Sequence, residues 1–463
     1  MASKPDNRPS SLPPSSPLFV FSVALLGVIS TTAQVLSGSM TSLPGHTLLW
    51  AFILLAAVNY LLYRDVLHPA CMFSFAWLLS TAVYVWFPWK IDSIQWPAVM
   101  IFLGGAAAFS LGCALGARQI IAGPTMFSKP AGSPRVRRLL LIYCVAIVPL
   151  AVYSIMKLAG IFSLSPAMFL AAREAVVRLQ TEGKAVSLNP LLWLAPRVAV
   201  STVFVLLLEE SKKWLVATGI TATVILGLFT TGRVILMLLF CGWVILGLLG
   251  ASSRSLKRAG RHLAVVSLLV CVALTLPTLL TKSETQKQAS KGATGAEIAA
   301  RMTATYIAGP IAAFNYVVEH PGVSQNQSNK TFAEILTPLR AVGVRYVPPP
   351  HFEPFLPIPF LFNVFTVYRT FYGDYGVAGC LVAMLLCGII SGSLFHAAIH
   401  GNKFAAFAFC YIGYAIIMSP FLNNFNLFSR YVYIALFGIA YFVVAPRLPH
   451  FTLFDSRGGA QGA

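Results

Sequence analysis

The chain has 463 residues, of which 57% are hydrophobic and 10% charged, with a mean hydropathy of +0.77 and a formal net charge of +19. A soluble domain carries about 25% charged residues, so too little charge is available here to cover a water-facing surface. A lone strand finds no backbone partners in lipid whereas a helix satisfies its own, so the composition predicts an all-α polytopic membrane protein.

Residues 1–17 are rich in Pro and Ser, carry Lys4 and Arg8, and read as a disordered cytoplasmic tail. A helix needs about 20 apolar residues to cross the hydrocarbon. Stretches of that kind are expected at 18–36, 47–63, 69–88, 97–117, 138–158, 188–208, 213–230, 232–250, 262–281, 375–396, 403–421 and 428–446, about twelve spans. The first has the outline of a secretory signal, but further spans follow and it is read as an uncleaved anchor. The organisation is then a transmembrane bundle over 18–281, a large periplasmic loop with short helices over 282–374, C-terminal spans over 375–446 and a cytoplasmic tail over 447–463.

Orientation follows from Lys and Arg in short loops. Arg64, the group Arg118 to Arg138, Lys212 and Lys213, the group Arg254 to Arg261, Lys403 and Arg447 all fall inside when the N-terminus is cytoplasmic. Of the 33 basic residues, 17 then lie inside and 16 outside, chiefly in loops 159–187 and 282–374. Nine acidic residues accompany those 16, so the outer face is net positive by 7. Such a face suits a phosphate, a pyrophosphate or acidic lipid headgroups.

Within loop 159–187, Ser165-Pro166 forms an N-cap and first-turn pair, and Phe169, Ala172, Val176 and Leu179 recur at helical spacing. An amphipathic interfacial helix is expected over 164–183, as a lid or as an anchor. The large loop opens on a polar stretch, Lys282 to Gly295. Helical spacing follows from Glu297 to Val318, with a break expected at Gly309-Pro310. Pro348, Pro349, Pro350, Pro354, Pro357 and Pro359 then predict a stiff, extended path. The eight Cys fall in or beside apolar runs and read as small core residues.

There is no P-loop, no H-E-x-x-H, no paired C-x-x-C and no D-x-D pair in the outer loops, and the eight His do not cluster at ligand spacing. Neither metal nor cofactor is expected. What the outer face offers is arginine: Arg197 after Pro196, Arg233 in Thr230-Thr231-Gly232-Arg233, Arg301, Arg340, Arg345 and Arg369 through the large loop, and Arg430 at the last span. Guanidinium forks bind phosphate oxygens bidentately and stay charged, although each arginine alone can also snorkel to the interface. Candidate bases are Asp374, His351 and Glu353; Asp374 equally suits the start of a helix, where the dipole favours it. Tyr306 and Tyr372 offer faces for sugar rings or for interfacial anchoring.

Two stretches resemble the oligosaccharide repeat-unit polymerase (O-antigen polymerase, Wzy) family. One is Phe229-Thr230-Thr231-Gly232-Arg233; the other is Asn363-Val364-Phe365-Thr366 followed by Tyr372-Gly373-Asp374-Tyr375-Gly376-Val377-Ala378-Gly379, with Tyr306, Gly309-Pro310 and Phe314 a weaker third. The resemblance implies a bacterial inner-membrane glycosyltransferase with a GT-C-like fold. It would act on undecaprenyl-pyrophosphate-linked glycans at the periplasmic face, among membrane lipids, beside a chain-length regulator and a flippase, without nucleic acid. It also implies that Arg233, Arg345 and Arg369 hold the pyrophosphate, with Arg301 and Arg430 in support. An O-antigen ligase acting on lipid A core and a transporter or flippase of lipid-linked sugars remain as alternatives.

Overall fold

The computed structural model describes residues 43–86, 92–119, 134–162, 190–209, 211–229, 233–250, 295–324, 329–349, 356–358, 361–425 and 428–444, with Ala171 and Ala175. The expected spans 18–36 and 262–281, most of the interfacial helix 164–183, and both tails lie outside the described residues. The other ten expected spans coincide with helices. These are α1 (Leu43–Tyr63), α2 (Pro69–Val85), α3 (Trp96–Gln119), α4 (Pro134–Ala159), α5 (Pro190–Leu208), α6 (Lys213–Phe229), α7 (Arg233–Leu249), α11 (Tyr368–Ile399), α12 (Lys403–Ile417) and α13 (Phe428–Ile439). Between α7 and α11 stand α8 (Gly295–Glu319), a single turn α9 (Pro321–Ser324), α10 (Ala333–Leu339) and a short antiparallel pair, β1 (Leu356–Pro357) with β2 (Leu361–Phe362). Four helical segments, Leu43–Tyr63, Trp96–Ala117, Val136–Ser154 and Tyr368–Ile399, are long and apolar enough to cross a membrane; α2, α5, α6, α7, α12 and α13 are shorter and apolar. The chain is a helical membrane protein.

The α3–α11 pair is the most extensive helix contact. Its seam is built from glycine at four-residue spacing. A Cβ on Gly112 would run into the carbonyl of Leu385, on Gly116 into that of Ile389, on Gly388 into that of Phe109 and on Gly392 into that of Cys113. Lipid tails are as apolar as leucine, so close backbone approach, rather than hydrophobic burial, holds such a pair together. Asn59 joins three helices: its Nδ2 donates to Ser74 Oγ at 2.7 Å, to Ala70 O at 3.3 Å and to Ser110 Oγ at 3.3 Å. Trp77, fully buried, stacks on Phe52, meets Tyr368 edge-on and donates to Ser419 Oγ at 2.9 Å.

Two expectations for the large loop are corrected. The break at Gly309-Pro310 is absent: α8 runs through Pro310. Proline denies a hydrogen bond to the preceding turn, and here the Ser80 hydroxyl bonds the neighbouring Ile307 carbonyl at 2.7 Å, while burial of Ala308, Ile311, Ala312, Ala313 and Phe314 holds the helix in the bundle. Gly309 is needed because a Cβ would strike the Phe362 ring. The proline run is also not one extended path. The chain reverses between β1 and β2, which buries Leu356, Ile358 and Phe362 against Ala312, Ala313 and Val317 of α8. Apolar burial outweighs the stiffness of the prolines at this point.

The late span expected from residue 375 starts at a break, and a short helical segment precedes it. α11 starts at Tyr368 and breaks at Gly376, where φ is +66° and ψ −162°, so Arg369, Tyr372 and Asp374 stand on a short helical segment ahead of the long one. Only glycine takes that backbone conformation without strain.

Candidate anion site at one end of the bundle

Polar side chains gather at two ends of the bundle. At one end Glu209, its side chain 4% exposed, accepts from Lys403 Nζ at 3.2 Å and lies 4.0 Å from Arg137. Arg137 also donates to Ser211 Oγ at 3.3 Å. These residues come from α4, α12 and the α5–α6 connection, all loops that the charge pattern puts together on one side. His68, between α1 and α2, is buried here, stacked on Tyr63 at 3.4 Å between ring centres and edge-on to Phe395 at 5.4 Å. Burial pushes its pKa down to about 3.

At the other end Arg197 and Arg430 come close enough for each charge to bear on the other, with Glu334, Tyr411 and Tyr433 also acting on Arg197. Arg197 is half-buried and follows the proline inside α5. Arg430, half-buried in the first turn of α13, donates to Asn424 Oδ1 at 3.0 Å and lies over the Tyr414 ring at 5.6 Å. One turn along α5 from Arg197, Ser201 Oγ bonds the Tyr411 hydroxyl at 2.5 Å and that of Tyr433 at 2.9 Å. Two like charges held in a partly desolvated setting repel unless an anion neutralises them. Among the described residues, Glu334 is the carboxylate that acts on Arg197.

Asn424 and Tyr414 lie beside Arg430. Asn424 Oδ1 must face Arg430, because a guanidinium only donates, and this turns its Nδ2 elsewhere. Asn423 Oδ1 likewise accepts from Phe425 N at 3.0 Å. Asn423 Nδ2, Asn424 Nδ2, the Tyr414 hydroxyl and the Thr366 hydroxyl are buried and have no hydrogen-bond partner among the described residues. The Tyr414 hydroxyl lies against the Asn424 side chain. The Val367 N–H bonds Ser419 O at 2.8 Å at the head of the loop bearing both asparagines.

A strap from Asn329 to Tyr346 closes one side. Asp374 accepts from Lys330 N at 3.1 Å and from both the N–H and hydroxyl of Thr331 at 2.6 Å. Asn329 Nδ2 donates to the Tyr375 hydroxyl at 2.7 Å, and the Tyr346 hydroxyl donates to Asn329 O at 2.6 Å. The strap lays α10 on α13 and thereby carries Glu334 to Arg197.

The sequence candidates therefore divide. Arg197 and Arg430 meet. Arg369 is buried, donates to Val323 O at 3.2 Å and lies over the Phe365 ring at 5.7 Å. Arg340 and Arg345 are exposed on the strap. Arg233 and Arg301 lie on described helices but their side chains are outside the described set, as are His351 and Glu353 altogether. Tyr372 packs edge-on against Phe314 at 5.6 Å, and Tyr306 stands 6.2 Å from Phe362, so both rings serve internal packing. Sequence reasoning missed Ser201, Tyr411, Tyr414, Tyr433 and the adjacent Asn423 and Asn424. The asparagine pair, interrupting an apolar stretch, was the one available signal. Among the described residues no group of three or more His, Cys, Asp or Glu comes together. No protein-family model, curated protein or solved structure matches the chain.

Proposed function

We propose that this chain is a twelve-span, GT-C-like inner-membrane glycosyltransferase that polymerises undecaprenyl-pyrophosphate-linked repeat units at the periplasmic face. The observation that carries the reading is the convergence of Arg197 and Arg430 at one end of the bundle, joined to the motif resemblance. In the reaction a hydroxyl of the incoming unit attacks the anomeric carbon of the growing glycan. The bond from that carbon to the diphosphate oxygen breaks, the lipid diphosphate leaves with the electron pair, and the hydroxyl proton passes to a base. Negative charge builds on the leaving group, so guanidinium groups fixed in advance stabilise the transition state more than the ground state. The transition state is oxocarbenium-like, so the base acts late and weakly. His351 and Glu353 remain the base candidates. The hydrogen bonds of Asp374 favour a role in holding the strap.

A transporter of an anionic lipid-linked sugar is the second reading, favoured by the position of Arg197 inside a proline-bearing apolar helix. Purified protein given lipid-linked repeat units separates the two. A ladder of longer products is the expected result; the native substrate returned unchanged by folded protein would remove the polymerase reading.

A further inference from the structure

Three helices meet through hydroxyl groups one turn away from the arginine pair. Ser201 of α5 is fully buried, and its Oγ lies 2.9 Å from the Arg197 carbonyl, 2.5 Å from the Tyr411 hydroxyl of α12 and 2.9 Å from the Tyr433 hydroxyl of α13. A carbonyl only accepts, so the serine hydrogen goes to Arg197 O and both phenols donate to Ser201 Oγ. All three hydroxyl hydrogens are then bonded inside the protein. Each helix repeats the same offset from this knot. Arg197 precedes Ser201 by four residues, Tyr414 follows Tyr411 by three, and Arg430 precedes Tyr433 by three. Positions so spaced share one helix face. The contacts agree, since Arg430 lies over the Tyr414 ring at 5.6 Å and acts on Arg197. One layer therefore holds the hydroxyls, and the next holds Arg197, Arg430 and Tyr414.

We propose that Ser201, Tyr411 and Tyr433 are positioning residues, whose hydroxyl knot fixes the register of α5, α12 and α13 and so holds Arg197 and Arg430 at one separation. The inference rests on the reading that this pair grips the leaving diphosphate, and it names what keeps the pair in place. Two observations favour positioning over plain cohesion. Among the described residues α5 and α13 approach each other little at the backbone, so side chains set their spacing, and Tyr433 carries the hydrogen bond between them. The tie is also neutral. Two guanidinium groups repel at close range, and hydroxyls hold the helices together without cancelling the positive charge that phosphoryl oxygens would meet.

The test measures farnesyl diphosphate affinity and thermal midpoint for the full chain in detergent. Tyr433→Phe and, separately, Tyr411→Phe should weaken binding by roughly three- to tenfold each. Thr202→Val is the control. Thr202 is the next residue of α5 and is also buried, but it donates to the Val198 carbonyl at 2.7 Å and accepts from Cys144 Sγ of α4 at 3.6 Å. This variant should lower the midpoint at least as far as either phenylalanine variant while changing affinity by less than about twofold. In the Arg430→Gln background the loss from Tyr433→Phe should shrink to about twofold or less, because a residue that acts through Arg430 has little left to position. A loss that persists in full in that background would mark the knot as structural only and overturn the proposal. So would Thr202→Val weakening binding as much as Tyr433→Phe does, unaltered affinity in both phenylalanine variants, or failure of wild type to bind the probe. Should Tyr433→Phe fail to fold, the same cycle on Tyr411→Phe decides. A product ladder with binding indifferent to the knot would sink this inference only, whereas knot-dependent binding without a ladder would sink only the polymerase reading.

Discussion

Both ends of the bundle set two cationic side chains against one carboxylate, but in different arrangements. Around Glu209 one carboxylate stands between Arg137 and Lys403, and a neutral His68 fills the nearby helix turn. Its polar contacts fasten helices to one another. At the other end Arg197 and Arg430 act on each other, Glu334 acts on Arg197, and Arg430 is held by Asn424 and the Tyr414 ring. The comparison teaches that one charge ratio can fasten helices directly, as at Glu209, or bring two guanidinium groups to bear on each other, as at Arg197 and Arg430.

Breaking the arginine end should have the largest effect. Arg430→Gln, and separately Arg197→Gln, should lower product formation by about 100-fold or more, the order expected when a transition-state donor is lost, with the thermal midpoint little changed. Glu209→Gln should do the reverse. Its partners are partly exposed, so a loss of about 2 kcal/mol is expected in denaturation, with activity per folded molecule preserved. A third measurement sharpens the same division through pH. His68 is neutral when folded and, with its pKa pushed down to about 3, protonates far more readily when unfolded. Its contribution is therefore complete above pH ~6.5 and is lost as pH falls toward 3, by about 1.4 kcal/mol per unit. His68→Phe, which keeps the stack on Tyr63, should flatten the stability profile between pH 6.5 and 5 without altering diphosphate affinity. The smallest effect is at the strap. Glu334→Gln removes the carboxylate that acts on Arg197 and should tighten farnesyl diphosphate binding by roughly two- to fivefold, about 0.5–1 kcal/mol. Weaker binding would make Glu334 part of the recognition surface instead.

Much of the scaffold was legible in the sequence, because apolar length is a local property and ten expected spans coincide with helices. The glycine seam was not read, since Gly112 and Gly388 acquire meaning only when α3 and α11 are side by side. Proline misled twice for one reason: its local stiffness was weighed without the burial that carries α8 through Pro310 and folds Leu356 and Phe362 onto it. At the candidate site, the structure brings together some of the arginines named from the sequence and separates others. Arg197 and Arg430, far apart in the chain, meet, whereas Arg369 is engaged by the Val323 carbonyl and the Phe365 ring. Which arginines share a ligand depends on helix packing, and spacing along the chain carries no record of it.

A double-mutant cycle on diphosphate binding tests the central claim most directly. Affinity for farnesyl diphosphate is measured for wild type, Arg197→Gln, Arg430→Gln and the double variant. If both guanidinium groups grip one diphosphate, each single change weakens binding at least about tenfold, and the two effects couple by more than about 0.5 kcal/mol. Single variants that bind as wild type does, or two losses that add with no coupling, would contradict a shared site.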